Sequence, residues 1–168
     1  YVMIAFRIAC FKVYHPLAFY AAYFSIRAKA FDLRIMTGDL KTQMTEFNRI
    51  KALDRGASPK DKDLMSALEV SMEMYQRGYR FVNVDIQHSE ARRFSIKDGA
   101  LLPPFLAIDS LGETVADAIV AEREERPFTS LKDLQRRCKV SNTIIDLMKE
   151  LKCCGELPED EQMSLFGA

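Results

Sequence analysis

The sequence carries no net charge to direct it toward one kind of partner: 24 Lys plus Arg stand against 24 Asp plus Glu in 168 residues. That balance excludes a disordered polyelectrolyte and a uniformly basic nucleic-acid binder. Cysteine and histidine are sparse. Cys10, Cys138, Cys153 and Cys154 form one adjacent pair and two distant singles, with only His15 and His88 to help, so no zinc-ligand spacing exists. They read as buried or partly buried free thiols of a reducing cytosol. No apolar run approaches the ~20 residues of a membrane helix. The apolar start, Tyr1 to Phe11, is interrupted by Arg7, followed by Lys12 and lacks a small-residue cleavage site, which argues against a signal peptide. There is no phosphate-cradling glycine loop, nucleophile–base arrangement or metal cluster, so no catalytic or metal-binding residue is expected in this chain. Asp61 and Asp63, two apart on a helix, diverge by about 200° and suit helix-end electrostatics better than metal binding.

What is present divides unevenly. With 48% apolar residues the chain can fill the core of one ordinary domain or two small ones. Residues 1–57 hold nine basic and four acidic side chains, 58–126 nine and thirteen, and 127–168 six and seven. The neutrality averages a basic front, which includes Arg7, Lys12, Arg27, Lys29 and Arg34, with an acidic middle. The chain opens without Met inside an amphipathic pattern, which reads as a piece of something longer.

Local signals predict a mainly α fold with a small antiparallel β element. A helix from about Val2 to Val13 breaks at His15-Pro16, and a second runs from Pro16 to about Ala30. The aromatics Phe19, Tyr20, Tyr23 and Phe24 of that second helix read as a core stripe. A polar helix follows from Leu40 to about Asp54. Ser58, Pro59 and Asp61 then open another helix that Gly78 can close. Phe81–Ile86 and Arg93–Ile96 fit strands, with Asp98-Gly99 as a turn. Pro103-Pro104 marks a boundary, Ser130 to Asp133 is a variant capping box, and Ser141 caps a last helix with Ile144, Met148 and Leu151 on one face.

The segment Leu106 to Val120 has the layout of a helix-hairpin-helix: a short apolar helix, a tight turn with Gly112, then a helix with Val115, Ile119 and Val120 inward. Such a turn points backbone N–H groups outward, where they can hold a DNA phosphate without reading bases. Glycine suits it because a side chain would block close approach or because the backbone needs positive φ. The candidate DNA-binding residues are Ser110, Leu111, Gly112, Glu113 and Thr114. A second, degenerate hairpin from Leu131 to Leu151 adds Arg136, Arg137, Lys139, Ser141 and Asn142. Spacing alone leaves open an ordinary helical hairpin with solvated charges. The end of the chain, Gln162-Met163-Ser164-Leu165-Phe166, could dock apolar side chains in a preformed pocket or pack on its own domain.

Together these residues resemble the C-terminal end of the PolC-type replicative DNA polymerase, the Gram-positive alpha subunit of DNA polymerase III. The resemblance rests on Tyr1-Val-Met-Ile-Ala-Phe-Arg-Ile-Ala and Phe11-Lys-Val-Tyr-His-Pro-Leu-Ala-Phe-Tyr20 at the start. Phe81 to Ile86, Leu101-Leu-Pro-Pro-Phe105, Ile108 to Gly112 and Leu157 to Phe166 complete it. It implies that residues 1–100 belong to the fingers region, with Arg7, Lys12 and His15 near nucleotide or template. Residues 101–157 would be a tandem helix-hairpin-helix domain on duplex DNA, and 158–168 a flexible tail in which Gln162, Met163, Ser164, Leu165 and Phe166 bind the beta sliding clamp. The expected partners are sequence-independent duplex DNA, that clamp and the remainder of the polymerase chain, with no membrane, in the bacterial cytoplasm at the replication fork. The resemblance puts the Mg²⁺-binding aspartates of this nucleotidyltransferase in a palm upstream of Tyr1. This chain alone would then bind no cofactor and be inactive. Two residues depart from the family pattern: Ser110 stands where relatives usually have glycine, and Met163 where they usually have Leu. The alternatives are a stand-alone helix-hairpin-helix accessory protein and a protein–protein module without DNA contact.

Overall fold

A computed structural model describes residues 1–27 and 30–160, with only the backbone of Arg55. Lys29 and the peptide Gln162–Phe166 lie outside the described residues. The chain is mainly helical, in the order α1 (Val2–Tyr14), α2 (Pro16–Ile26), α3 (Leu33–Met36), α4 (Leu40–Ala52), α5 (Pro59–Gln76), β1 (Ser95–Lys97), β2 (Ala100–Leu102), α6 (Glu113–Glu125), α7 (Leu131–Cys138) and α8 (Asn142–Glu150).

Helix starts fall where short polar side chains can accept a first-turn N–H. Asp39 accepts from Thr42 N at 2.8 Å, and Ser58 with Asp61 closes a full capping box on α5. Gly78, at φ 85°, ends α5 in the left-handed conformation, with Tyr79 N–H donating to the Met74 carbonyl at 3.1 Å. The short α3 has no sequence expectation behind it, although Asp32 caps it through the Ile35 amide. Helix α2 stops at Ile26 rather than near Ala30.

α2 does present an aromatic stripe. Tyr20 and Phe24 are fully buried, and Phe19 and Tyr23 half-buried. Phe24, Phe31, Phe81 and Phe94 pack together with ring centroids 4.9–6.1 Å apart, joining α2, the approach to α3 and the edge of the sheet. From there one continuous core runs through Phe105, Ile108, Ile119, Leu134 and Met148.

The sheet is smaller than the sequence suggests. β1 and β2 pair antiparallel around Asp98-Gly99, whose positive φ values of 51° and 75° suit a two-residue turn. Phe81–Ile86 forms only an isolated parallel bridge, Phe81 with Leu101. Its backbone bonds divide between two neighbours, Val82 N–H to Leu101 O at 2.9 Å and Ile86 N–H to Cys153 O at 3.2 Å, so no single ladder extends. The segment thereby ties the helical front to the stretch that follows α8.

Among the described residues no single helix is long and apolar enough to cross a membrane. Only α1 and α2 together are, and their axes bend by 118° at the break between them. Cys138, Cys153 and Cys154 are buried free thiols, and burial pushes Cys138 up to about 11.

Candidate nucleic-acid interface

The two turns predicted to hold phosphate are built alike. In the second, α7 ends at Cys138, Lys139 is left-handed at φ 53°, Val140 is buried, and Ser141 caps α8 by accepting from the Ile144 amide at 3.4 Å. In the first, Ser110 is left-handed at φ 64°, Leu111 is buried, and Gly112 is the N-cap of α6. Both turns thus place a left-handed residue two positions, and a buried apolar residue one position, before the N-cap. The positive φ falls on Ser110 and not on Gly112, whose φ is −75°. Of the two reasons for a turn glycine, conformational freedom therefore belongs to Ser110. Among the described residues a Cβ on Gly112 would meet nothing within 4 Å, so their packing does not demand glycine there.

The first hairpin differs from expectation in one further respect. No α-helix precedes its turn, only a 3₁₀ turn over Phe105–Ala107. Phe105 N–H donates to Glu90 O at 2.9 Å and Leu106 N–H to Ala91 O at 3.1 Å. Those amides are committed to a distant loop, after two prolines that donate nothing. Residues 106–113 with Phe31 line a shallow hollow of about 310 Å³. Gly112 supplies no side-chain cap to the thirteen-residue helix α6. Glu113 in that first turn pairs with Arg92 at 2.8 Å, and Asp117 meets the same guanidinium. The Arg92 hydrogen bonds hold the Asp117 carboxyl below the usual range.

The candidate side chains separate by exposure. Thr114, Lys139, Ser141 and Asn142 are exposed, and Asn142 accepts from the Gln135 amide. Leu111 is in the core and can contribute only backbone. Lys139 makes no ion pair among the described residues. Arg136 points outward, 68% exposed, while reaching Asp133 at 3.0 Å. Arg137 is turned inward, with its side chain 12% exposed. Its guanidinium meets Glu122 at 3.0 Å and Asp133 at 3.3 Å, donates to the Arg126 carbonyl at 3.0 Å and stacks 4.9 Å over Phe128. Arg137 thus ties α7 to the end of α6 and to the loop that follows it. Asp133 itself is fully buried. Burial opposes its charge, but Arg136, the Thr129 amide and Arg137 outweigh that and keep its pKa below the ordinary value.

The three front residues, two on α1 and His15 at its C-cap, differ in their surroundings. Lys12 pairs with Glu73 at 2.7 Å and lies 5.2 Å over Phe19, whereas Arg7 and His15 are exposed. Arg34 reaches Glu150 at 2.9 Å, linking α3 to α8. Sequence reading misses Arg123, which donates to the carbonyls of Ile86 and Ser89 at 3.1 and 2.8 Å and fixes α6 on the preceding loop. Its partners are more than thirty residues away, and no local pattern announces them. Among the described residues no three His, Cys, Asp or Glu side chains converge as a metal site.

Two turns of matching conformation, joined by helices over a shared core, agree with the match of residues 78–162 to the helix-hairpin-helix motif family. The chain belongs to that family. Over 99% of its length this helix-hairpin-helix chain is also similar to polymerases named DNA polymerase III PolC-type. It is 45% identical to that of Caldanaerobacter subterraneus subsp. tengcongensis, 47% to that of Streptococcus suis and 44% to that of Streptococcus pyogenes. It spans about 12% of the length of each of these relatives.

Proposed function

We propose that this chain is the C-terminal part of a PolC-type replicative polymerase, which holds primer-template duplex by its phosphates and tethers the enzyme to the sliding clamp. The observation that carries the DNA reading is the pair of like turns, Ser110 to Gly112 and Lys139 to Ser141, each leading into a helix N-terminus. Contacts of this kind are independent of base sequence and weaken with salt, because cations that neutralise phosphates release counterions. Lys139 and Arg136 are the exposed cations of the second turn, and Thr114, Ser141 and Asn142 supply neutral polar groups. A titration of labelled duplex at low and moderate salt tests this reading. Absence of binding at low salt would overturn it.

The clamp reading rests on Gln162, Met163, Ser164, Leu165 and Phe166, and on the similarity to the polymerases. Met163 is a flexible apolar replacement for Leu, which a docking pocket tolerates. Deleting residues 162–166 should abolish clamp binding and leave duplex binding intact. Retained clamp affinity in the deleted protein would sink it.

The remainder of the polymerase is the partner assigned to α1. Val2, Ile4, Phe6, Val13 and Tyr14 are each more than half exposed, and α1 buries no residue at all. Nucleotidyl transfer, with its Mg²⁺, is assigned to that remainder, and this chain alone should be inactive. Such a role belongs to the bacterial cytoplasm.

A further inference from the structure

Beyond the second hairpin the chain does not simply trail away. Leu157 packs on the core, and the Pro158 and Glu159 carbonyls accept hydrogen bonds from Leu131 N–H at 2.9 Å and Lys132 N–H at 3.2 Å. Those amides are the first two of α7, which otherwise have no partner within the helix. Ser130 Oγ accepts from the third, Asp133, at 3.0 Å. Two ion pairs accompany the backbone bonds: Lys132 with Asp160 at 2.5 Å, and Lys149 of α8 with Glu159 at 2.7 Å. Each pair is exposed and weak alone. Backbone bonds and ion pairs together bind the segment to both helices of the hairpin.

The place of attachment matters. Lys139 to Ser141, the phosphate-facing turn, lies at the far end of α7, whose eight residues rise about 12 Å. The chain therefore leaves from the open end of the hairpin, away from the turn. Gln162 follows Asp160 by two residues, a reach of about 7 Å at full extension.

We propose that residues 157–160 form a strap that fixes the exit of the chain at the N-terminus of α7, so that DNA and clamp are held together without competing. This rests on the clamp reading above. In this proposal the clamp on the same duplex lies within the short reach of the fixed point, so the effective concentration of the peptide there is raised. A flexible tether would lose that advantage.

The test uses the full-length polymerase and two variants. One carries Glu159→Lys with Asp160→Lys. The other carries a flexible Gly/Ser insertion of about ten residues after Asp160, well beyond the reach of the native link. With the charges reversed, the Leu131 and Lys132 amides should exchange with deuterium at least several-fold faster. In both variants clamp affinity without DNA should stay at the wild-type level, while affinity for clamp loaded on primed duplex falls several-fold. Adding Lys132→Glu and Lys149→Glu should restore the first variant. Unchanged exchange, or unchanged affinity on DNA in both variants, overturns the strap. Deleting residues 162–166 separates the two ideas. If clamp binding survives that deletion the clamp reading fails, while amide exchange still decides whether the strap exists.

Discussion

Arg137 and the fully buried Asp133 meet 3.3 Å apart on adjacent turns of α7, and the pair holds inside the fold a cation that sequence position alone would aim at DNA. Arg136, one residue earlier and so about 100° around the helix, lies outside. Replacing Arg137 with Ala should therefore lower the urea midpoint of unfolding and leave the salt dependence of DNA binding unchanged in the fraction that remains folded. A reduced salt slope with unaltered stability would reverse the assignment.

Asp133 gives the fold a pH dependence. Its folded pKa lies below the unfolded value of about 3.9, so its contribution is present above that pH and is lost as pH falls through the folded pKa. Replacing Asp133 with Asn removes a counter-charge from Arg136 and Arg137 and should cost about 1–3 kcal/mol at neutral pH. Below about pH 4 the difference from wild type should shrink. Chemical denaturation across that range checks both statements.

Ser110 tolerates a conformation that glycine adopts at no steric cost. Ser110→Gly should raise stability by about 0.5–1 kcal/mol, since the strain of a left-handed side chain exceeds the entropy glycine adds to the unfolded chain. Ser110→Val should lower it. Duplex affinity of the glycine variant should equal or exceed wild type. Thermal unfolding and a binding isotherm on the same samples decide the matter.

Lys139 combines the same backbone strain with an exposed charge, and the two effects part company on substitution. Lys139→Gly should be more stable than wild type yet bind duplex more weakly, with the slope of log affinity against log salt reduced by roughly 0.9. A slope equal to wild type would remove Lys139 from the phosphate contacts.

At the other end of the molecule, Lys12 joins α1 to α5 through Glu73, which also accepts from the Tyr20 hydroxyl at 2.9 Å and pairs with Arg77 at 2.7 Å. Burial and that hydrogen bond push the Tyr20 hydroxyl up from its ordinary value. Replacing Lys12 with Met should speed hydrogen exchange along α1 and leave α5 protected. Equal exchange in both proteins would show that packing on α2 alone holds α1.

Much of this protein was decided within a few residues of sequence. Ser58-Pro59-Asp61, Ser130 with Asp133, Ser141, Gly78 and Asp98-Gly99 each set an element boundary through a hydrogen bond or a backbone conformation available locally. The boundaries of α5, α7, α8 and the β1–β2 turn follow from such signals. The tertiary structure decided what depends on partners distant along the chain. Phe81–Ile86 divides its backbone between Leu101 and Cys153 and never becomes a regular strand. Lys12 pairs with Glu73, Arg137 turns inward to Glu122, and Pro158 and Glu159 close the first turn of α7. A helical signal fixes the face on which a side chain stands, within one turn of its neighbours. What that face meets is set by loops and helices dozens of residues away, and their burial and charge become defined only when the chain has folded.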